Sequence, residues 1–311
     1  MTNIFLLLST YNGEKFLEEQ LSSLKKQSIP FQLLVRDDGS SDRTLEILNR
    51  WKKEIPLKIL AGQNVGVIES FNVLLNSLPP EADYVFFCDQ DDIWEANKIE
   101  KSLESILRQE DLFGKKIPLL FHSNLSVIDD TSKFIHKSFW KFQSIHWKLG
   151  HRLNRLIMQN TVTGCSAVMN APLLNLVKQV PKEAKMHDWW IALVACSFGK
   201  IITSERTLIR YRIHRNNVVG GKTRSFGRIV RTLLGLIDYV KMWKLENQTR
   251  IIQVEKFLQI YKTILPSNEK EILEKYLLVS KSKLLERKYF QIRYQFLQQG
   301  WLRVIISFLL F

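Results

Sequence analysis

The sequence predicts an α/β protein, in which a mostly parallel central sheet is flanked by helices and followed by a C-terminal helical extension. Within residues 1–125, short apolar runs recur, and polar turn residues and a helical pattern follow most of them. Repeated units of strand, turn and helix build parallel sheets. Basic residues are instead concentrated after residue 221, where the apolar spacing predicts helices. We therefore expect an α/β domain over residues 1–221 and a helical tail over residues 222–311.

Apolar residues place each predicted strand and helix of the first part. The first strand is expected over Ile4–Leu8, and the helix after it carries Leu17, Leu21 and Leu24. The same pattern predicts strands over residues 31–35, 57–60 and 84–88, and helices over residues 45–51 and 70–78. The run that ends at Cys88 is aromatic and β-branched, which is typical of a strand buried on both faces.

Two carboxylates directly follow the strand that ends at Cys88. Asp89 and Asp91 are separated by one residue, so in an extended backbone their side chains point the same way. Two ionised carboxylates this close repel each other, and one tends to keep its proton unless a cation binds. Oxygen ligands suit a hard divalent cation such as Mg²⁺ or Mn²⁺, which keeps positions open for phosphates. The pattern indicates a metal site, and the alternative is an Asp-rich turn that caps a helix.

A second acidic cluster follows the strand over residues 31–35. A pair of aspartates ends at Asp38, and a helical pattern begins a few residues later. Gly39 supplies a tight turn, and Ser41 with Asp42 is expected to cap the helix. Ligands of open α/β sheets lie beyond the carboxyl ends of the strands, so we expect Asp38 and Asp89 along one crevice.

Composition narrows the class of protein. A chain of 311 residues is long enough to bury a full core. Its three cysteines lack the spacing of a disulfide framework or a metal site, which suits a reducing cytoplasm. The N-terminal apolar run is too short for a signal peptide or a membrane span. The basic residues occur without a nucleic-acid recognition motif, so we expect no nucleic-acid partner.

Four polar segments, in this order and spacing, resemble the nucleotide-sugar-binding half of family 2 glycosyltransferases, which have the Rossmann-like GT-A fold. The matching segments are residues 9–13 (Ser-Thr-Tyr-Asn-Gly), 36–42 (Arg-Asp-Asp-Gly-Ser-Ser-Asp), 64–66 (Asn-Val-Gly) and 89–92 (Asp-Gln-Asp-Asp). The resemblance is greatest to bacterial rhamnosyltransferases of cell-surface polysaccharide assembly, which share Asp-Gln-Asp-Asp, a His-Asp-Trp and a terminal His with two Asn residues. It covers about residues 3–221.

The resemblance implies a nucleotide-sugar-binding part over about residues 1–125 and an acceptor and catalytic part over about residues 126–221. It implies that Asp38 binds the imide N–H of uracil or thymine, and that Asp89 and Asp91 serve the ribose and the metal–diphosphate. The residues expected to bind the nucleotide sugar are Thr10, Tyr11, Glu14, Asp38, Asn72, Asp89, Lys222 and Arg224.

Asp188 lies in a His-Asp-Trp segment that matches the rhamnosyltransferase version. By the resemblance it is the general base, and a helix N-cap is the alternative. A sugar hydroxyl is a weak nucleophile, and a carboxylate within hydrogen-bonding reach removes its proton as the new bond forms. The tryptophans that follow form either a platform for an apolar sugar face or part of the core. The candidate acceptor contacts are Ser123, Asn124, Asp129, Trp189 and Trp190.

Basic residues are expected beside the departing diphosphate. Two glycines precede Lys222 and Arg224, which suits a segment that closes over the site. The resemblance implies that His214 completes the metal shell, with Asp89 and Asp91. Ile213 stands where many relatives have Gln.

The tail carries most of the positive charge. Residues 222–311 contain 17 Lys+Arg and 7 Asp+Glu, a net charge of +10, whereas residues 1–221 contain 28 and 24, a net charge of +4. Apolar residues at positions 226, 229, 230, 233, 234 and 237 form one face of a predicted helix that ends near Trp243. We expect this helix either to lie on an anionic membrane surface or to pack on the enzyme. The apolar end at 304–311 is too short to span a bilayer, and it would insert shallowly or form a homodimer.

The residues and the resemblance together predict an inverting glycosyltransferase, in which a single displacement uses Asp188 as base and Mn²⁺ or Mg²⁺ as Lewis acid. The expected donor is dTDP-β-L-rhamnose, and the expected acceptor is a lipid-linked saccharide at the cytoplasmic face of the cell membrane. The alternatives are a UDP-hexose donor, a nucleotide-sugar-binding subunit without turnover, and a metal-dependent nucleotidyltransferase that releases pyrophosphate.

Overall fold

The structure, a computed structural model, describes residues 2–177, 179–214, 233–300 and 303–304, and for residues 233–240 it describes the backbone only. The chain forms two compact units. The first unit contains the described residues within Met1–Phe142, Val162–Lys182 and Met186–Arg212. The second contains those within Gln143–Thr161, Glu183–Lys185 and Ile213–Phe311.

A nine-stranded sheet, counted over the described residues, organises the first unit. Its strands are β1 (Ile4–Thr10), β2 (Gln32–Asp37), β3 (Leu57–Ala61), β4 (Tyr84–Cys88), β5 (Ile93–Trp94), β6 (Leu119–Ile128), β7 (Phe134–His136), β8 (Val168–Asn170) and β9 (Lys200–Arg212). The strand order is β3-β2-β1-β4-β8-β6-β9-β5, and β7 pairs with β6. The first four strands in this order are parallel. Beyond β4 the sheet is mixed, because β8 runs antiparallel to both of its neighbours.

Helices connect and flank these strands. They are α1 (Leu17–Lys25), α2 (Thr44–Trp51), α3 (Val67–Asn76), α4 (Lys98–Phe113), α5 (Phe139–Phe142), α6 (Leu153–Met158), α7 (Ala171–Val177), α8 (His187–Phe198), α9 (Leu233–Tyr261), α10 (Ser267–Lys281) and α11 (Leu284–Arg293). Short 3₁₀ turns lie at Trp147–His151 and Gly164–Ser166. The α/β fold class and the early strands and helices predicted from the sequence are confirmed.

Burial explains why apolar runs in the sequence indicate the strands of the first unit. All five residues of β4 are buried, and every residue of β1 except Ser9 is buried as well. In the register of the sheet, Leu8 of β1 lies beside Val35 of β2 and Cys88 of β4. The polar residues that follow these strands therefore begin at the same edge of the sheet.

The second unit is helical in its described part. Phe257, Tyr276 and Phe296 are fully buried, and the buried guanidinium of Arg250 donates a hydrogen bond to the carbonyl of Met158 at 3.0 Å. Residues 143–161 thus belong with the C-terminal helices. None of the described helices combines the length and apolarity that crossing a bilayer requires.

The predicted end of the tail helix near Trp243 is wrong. Helix α9 continues to Tyr261, because Val254, Phe257 and Tyr261 extend its buried apolar positions. The ring of Trp243 is itself buried, at 4% exposure. The apolar positions predicted at 226, 229 and 230 lie outside the described residues.

Candidate active site

The acidic segment after β4 forms the centre of the candidate site. Carboxylate oxygens of Asp89 and Asp92 and the sulfur of Cys165 all lie within 4.8 Å of one another. Asp92 and Cys165 are completely buried. Cys165 reaches this position from the 3₁₀ turn at Gly164–Ser166, which precedes β8, the strand paired with β4. The sheet therefore joins residues that are far apart in the sequence.

Crowding of like charges changes the acidity of this cluster. Burial, together with the charges of Asp91 and Asp188, raises the pKa of Asp89 to about 7. Burial and the charges of Asp91 and Asp89 raise the pKa of Asp92 well above its ordinary value. Hydrogen bonding by Cys165 opposes both shifts without cancelling them. A cation bound among these carboxylates would offset their mutual repulsion and lower their raised pKa values.

These residues fit a divalent cation. The carboxylates supply hard oxygen ligands, and their mutual repulsion falls when a positive charge is bound among them. The structure groups Asp89 with Asp92 and Cys165, whereas Asp91 acts on both carboxylates through its charge. His214, the third ligand that the resemblance implied, belongs to the second unit and is half-buried.

Arg212, at the end of β9, holds the acidic segment in place. Its backbone N–H donates to Oδ1 of Asp92 at 3.0 Å, and its Nε donates to the carbonyl of Asp91 at 2.7 Å. The guanidinium also donates to the carbonyl of Asp129, the hydroxyl of Ser132 and the carboxylate of Glu19. It is 1% exposed. One buried side chain therefore ties the acidic segment to α1 and to the β6–β7 turn.

A buried lysine lies near the acidic cluster. Lys98, the first residue of α4, is completely buried, and its ammonium lies 3.4 Å from the ring centroid of Trp94 and 5.0 Å from that of Phe86. Burial lowers its pKa to about 7, and the nearby thiols of Cys88 and Cys165 and the carboxylate of Asp92 act in the opposite direction. The aromatic faces stabilise the ammonium where water is excluded.

Asp188 lies in the first turn of α8, beside the acidic cluster. Its Oδ2 accepts a hydrogen bond from the backbone N–H of Gly164 at 3.0 Å, and its charge contributes to the raised pKa of Asp89. The N-cap position of α8 is Met186, so Asp188 is not the N-cap. A Cβ atom at Gly164 would lie 3.0 Å from Nε2 of His187. Glycine at this position therefore lets the turn approach α8 closely.

The residues next to Asp188 are core residues. The imidazole of His187 is 3% exposed and lies against Phe71, with ring centroids 4.0 Å apart. Burial lowers its pKa to about 3, so the ring is neutral at physiological pH. Trp189 and Trp190 are 6% and 0% exposed. This burial favours the core alternative over a platform for a sugar face.

The loop after β1 is locked onto the acidic segment. The backbone N–H of Tyr11 donates to Oε1 of Gln90 at 2.9 Å, and Nε2 of Gln90 donates back to the carbonyl of Tyr11 at 3.1 Å. Tyr11 itself is 49% exposed. Thr10 is buried and donates to Oδ1 of Asp37 at 3.1 Å. Of these two candidate nucleotide contacts, Tyr11 is thus the one open to solvent.

Asp38 is buried at the end of β2 and organises the next loop. Its carboxylate accepts hydrogen bonds from the backbone N–H groups of Val65, at 3.0 Å, and Gly66, at 2.9 Å. The guanidinium of Arg36 lies 3.5 Å away, and both side chains of this ion pair are buried. Gly39 has a φ of +81°, as the predicted tight turn requires.

Two further nucleotide candidates make contacts within the protein. Glu14 accepts hydrogen bonds from the backbone N–H of Arg43, at 3.1 Å, and from its guanidinium. Asn72 is 1% exposed, and its amide pairs with both the N–H and the carbonyl of Val180 at 2.8 Å. The contacts of Asn72 with Val180 position α3, and the sequence pattern did not predict them. Asp42, rather than Ser41, accepts the backbone N–H of Thr44 at the start of α2.

The weak acceptor candidates on and after β6 are engaged elsewhere. Ser123 is completely buried, and Asn124 pairs with the hydroxyl of Ser138 at 2.9 Å. The carboxylate of Asp129 accepts from the N–H groups of Thr131 and Lys133 and so closes the β6–β7 turn. The acceptor role of these three residues stays a prediction. The basic candidates Lys222 and Arg224 lie outside the described residues.

Three residues of the site were not predicted from the sequence. Asp92 belongs to the Asp-Gln-Asp-Asp segment, but the alternation of side chains along a strand points to Asp89 and Asp91 instead. Cys165 and Arg212 come from distant segments. The pairing of β8 with β4 and of β9 with β5 brings them to the acidic segment.

A family-wide comparison decides the class of protein. The model of the family described as "Glycosyl transferase family 2" matches residues 6–168, which is more than half of the chain. The match runs from within β1 through β4 and the acidic segment. The chain belongs to glycosyl transferase family 2. It is therefore a glycosyltransferase, and the resemblance stated from the sequence is confirmed.

One relative within the family is named for its donor. The chain is 26% identical over 253 residues to the dTDP-rhamnosyl transferase RfbG of Shigella flexneri, an alignment that covers 78% of this chain and 83% of that protein.

Solved structures of other glycosyltransferases share the fold of this chain. TarS of Staphylococcus aureus, in a crystal structure with UDP-GlcNAc, superimposes with a TM-score of 0.58 at 18% identity, covering 93% of this chain and 78% of that chain. The mannosyltransferase PcManGT of Pyrobaculum calidifontis, in complex with GDP-Man and Mn²⁺, gives a TM-score of 0.56 at 16% identity, covering 94% and 73%. The predicted GT-A fold is confirmed.

Proposed function

We propose that this family 2 enzyme is an inverting transferase that moves L-rhamnose from dTDP-β-L-rhamnose to a lipid-linked saccharide of a surface polysaccharide. The observation that carries the proposal is the position of Asp188. Its carboxylate is fixed by the N–H of Gly164 and lies close enough to Asp89 to raise the pKa of that residue. A base carboxylate beside a cluster that fits a cation is the arrangement that single displacement needs.

In the proposed reaction, Asp188 removes the proton of the acceptor hydroxyl. The hydroxyl oxygen then bonds to the anomeric carbon on the face opposite the leaving group, and the bond from that carbon to the diphosphate oxygen breaks. dTDP leaves with the electron pair, and the β-linked donor yields an α-L-rhamnoside. When bound, a divalent cation supplies charge neutralisation of the departing diphosphate.

The chain's own residues have distinct parts in this scheme. Asp89 and Asp92 would hold the cation, with Asp91 adding negative charge beside them. Arg212 keeps their backbone in place. Asp38 would meet the imide N–H of the base, and its bonds to Val65 and Gly66 fix the orientation of its carboxylate.

The donor sugar is supported by the likeness to RfbG, which is named a dTDP-rhamnosyl transferase and aligns over most of both chains. A UDP-hexose is the second candidate. TarS is crystallised with UDP-GlcNAc, and uracil and thymine present the same imide N–H to Asp38. The lipid-linked acceptor places the enzyme at the cytoplasmic face of the membrane, held there peripherally, and the C-terminal helices are also where a homodimer would form.

A panel of nucleotide sugars tests the proposal. Purified enzyme is incubated with dTDP-rhamnose, UDP-GlcNAc, UDP-glucose or GDP-mannose, with Mn²⁺, Mg²⁺ or a chelator, and a polysaccharide-precursor acceptor. We expect metal-dependent release of dTDP from dTDP-rhamnose. Release of pyrophosphate would instead indicate a nucleotidyltransferase, and donor binding without release from any sugar would indicate a binding subunit.

A further inference from the structure

Helix α11 presents an apolar face to solvent. Leu284, Leu285, Tyr289 and Ile292 are 59%, 84%, 56% and 57% exposed, and they define what we call the α11 face. At 3.6 residues per turn, Leu285, Tyr289 and Ile292 fall within about 60° of one another around the helix axis. Such a concentration of exposed apolar side chains marks a surface that meets another apolar phase.

The opposite side of α11 is packed. Gln291 is completely buried, and the ring of Phe290 is stacked on that of Tyr294, with centroids 5.8 Å apart. The guanidinium of Arg287 donates twice to the carbonyl of Ser282, which fixes the start of the helix. The orientation of α11 within its unit is therefore set, and the α11 face is the side left to solvent.

Positive charge surrounds the α11 face. From Lys281 to Arg293 the chain has five basic residues and one acidic residue, a net charge of +4. Lys281, Lys283 and Arg293 are exposed. The guanidinium of Arg293 donates to the hydroxyl of Tyr289 at 3.1 Å, so a cation is held at the edge of the apolar side chains.

We propose that the α11 face is the surface by which the enzyme lies on an anionic membrane. Leucine and isoleucine side chains enter the boundary of the acyl chains, the tyrosine ring lies at the headgroup level, and the basic residues meet lipid phosphates. The inference rests on the proposed function in one respect, namely that a lipid-linked acceptor lies at such a surface.

Charge favours a membrane over a second copy of the chain. Two copies that met through the α11 face would bring two segments of net charge +4 together, and like charges at a desolvated contact are unfavourable. An anionic bilayer supplies both the apolar phase and the opposite charge. The phosphate of the lipid headgroup is thus the ligand that the basic residues recognise.

Co-sedimentation of the full-length protein with vesicles tests the proposal. The double variant Leu285→Ser/Ile292→Ser removes the α11 face and leaves the net charge unchanged. The matched control is Leu107→Ser/Leu112→Ser on α4, whose leucines are 44% and 64% exposed in the first unit. Point variants replace truncation because residues 143–161 belong to the same compact unit as the C-terminal helices.

We expect wild type and the control to bind vesicles that contain phosphatidylglycerol, and to bind phosphatidylcholine vesicles weakly. The α11 double variant should bind at least tenfold more weakly, and high salt should weaken the wild type. Its melting temperature should match that of wild type, because both changed residues are exposed. Adding back the residues one at a time should restore binding in part.

Three results would overturn the proposal. Equal vesicle binding by wild type and the α11 variant would mean that the membrane contact lies elsewhere on the protein. No vesicle binding by wild type would mean that the protein makes no such contact. If light scattering showed a wild-type dimer that the α11 variant dissociates, the face would be an interface between copies. The assay contains neither nucleotide sugar nor acceptor, so its result does not depend on the donor assignment.

Discussion

The backbone N–H of Arg212 donates a hydrogen bond to Oδ1 of Asp92 at 3.0 Å, which joins the end of β9 to a carboxylate 120 positions earlier in the chain. The side chain of Arg212 adds a bond from Nε to the carbonyl of Asp91 at 2.7 Å. Both contacts are buried or partly buried, so water does not substitute for them easily. The geometry of the candidate cation ligands thus depends on a residue that is not itself a ligand.

Arg212→Lys tests this dependence. Lysine keeps the charge and the backbone bond to Asp92, but a single ammonium does not span the partners of the guanidinium fork. We expect the affinity for Mn²⁺, measured by calorimetry on the folded variant, to fall about tenfold, equivalent to about 1.4 kcal/mol. Arg210→Lys is the control, because Arg210 is 52% exposed and pairs with Glu95 at the surface. Unchanged Mn²⁺ affinity in Arg212→Lys would show that the residue only supports the fold.

Substitutions of the acidic residues themselves should have larger effects. Asp89→Ala and Asp91→Ala are each expected to abolish transfer, because each removes negative charge that the cation needs. Asp92→Asn keeps an acceptor for Arg212 while losing its charge, so it should weaken Mn²⁺ binding without unfolding the protein. Asp111→Asn, at an exposed position of α4, is the control. Metal-dependent turnover within about tenfold of wild type in both Asp89→Ala and Asp91→Ala would contradict the metal assignment.

The raised pKa of Asp89 gives a prediction for stability. Its pKa is about 7 in the folded protein and 3.8 as its ordinary value. Between these values the folded state holds a proton that the unfolded chain has released, so the free energy of unfolding falls as the pH rises through this range. Asp89→Asn removes this loss. The melting temperature of Asp89→Asn relative to metal-free wild type should therefore increase from pH 5 to pH 8.

Asp129 supplies a control of opposite sign for the pH experiment. Hydrogen bonds from Thr131 lower the pKa of Asp129, so its contribution to stability is lost as the pH falls, and Asp129→Asn should be least favourable at neutral pH. Added Mn²⁺ should stabilise the wild type more at pH 8 than at pH 5, and should stabilise Asp89→Asn little. A constant difference between Asp89→Asn and wild type across the pH range would contradict the raised pKa.

The parallel half of the fold and the acidic centre were predictable from the sequence for one reason. The strands that end near Asp38 and Asp89 are buried on both faces. Their sequences are therefore continuous apolar runs that polar residues follow. The mixed half was less predictable. Strand β8 has three residues, and β9 pairs with β6 across a long stretch of chain, so local patterns did not indicate their neighbours.

Side-chain roles were harder to predict than strand positions. Asn72 and Ser123 are polar residues of the kind that bind ligands, but both are buried in the first unit. Trp190 follows the candidate base in sequence, yet its ring packs in the core. Cys165 lies beside the acidic residues because of how the strands pair. Its position in the sequence does not indicate this pairing. Tertiary packing, rather than residue type, decides these cases.

The central claim, that Asp188 is the general base, is tested most directly by the kinetics of Asp188→Asn. Asparagine keeps an oxygen that accepts the N–H of Gly164, so the local structure should survive while the base is lost. Donor affinity, measured by calorimetry with Mn²⁺, should stay near that of wild type, and turnover at saturating donor and acceptor should fall by about 10² or more. Loss of donor affinity with normal turnover at saturation would contradict the account, and would make Asp188 a binding residue.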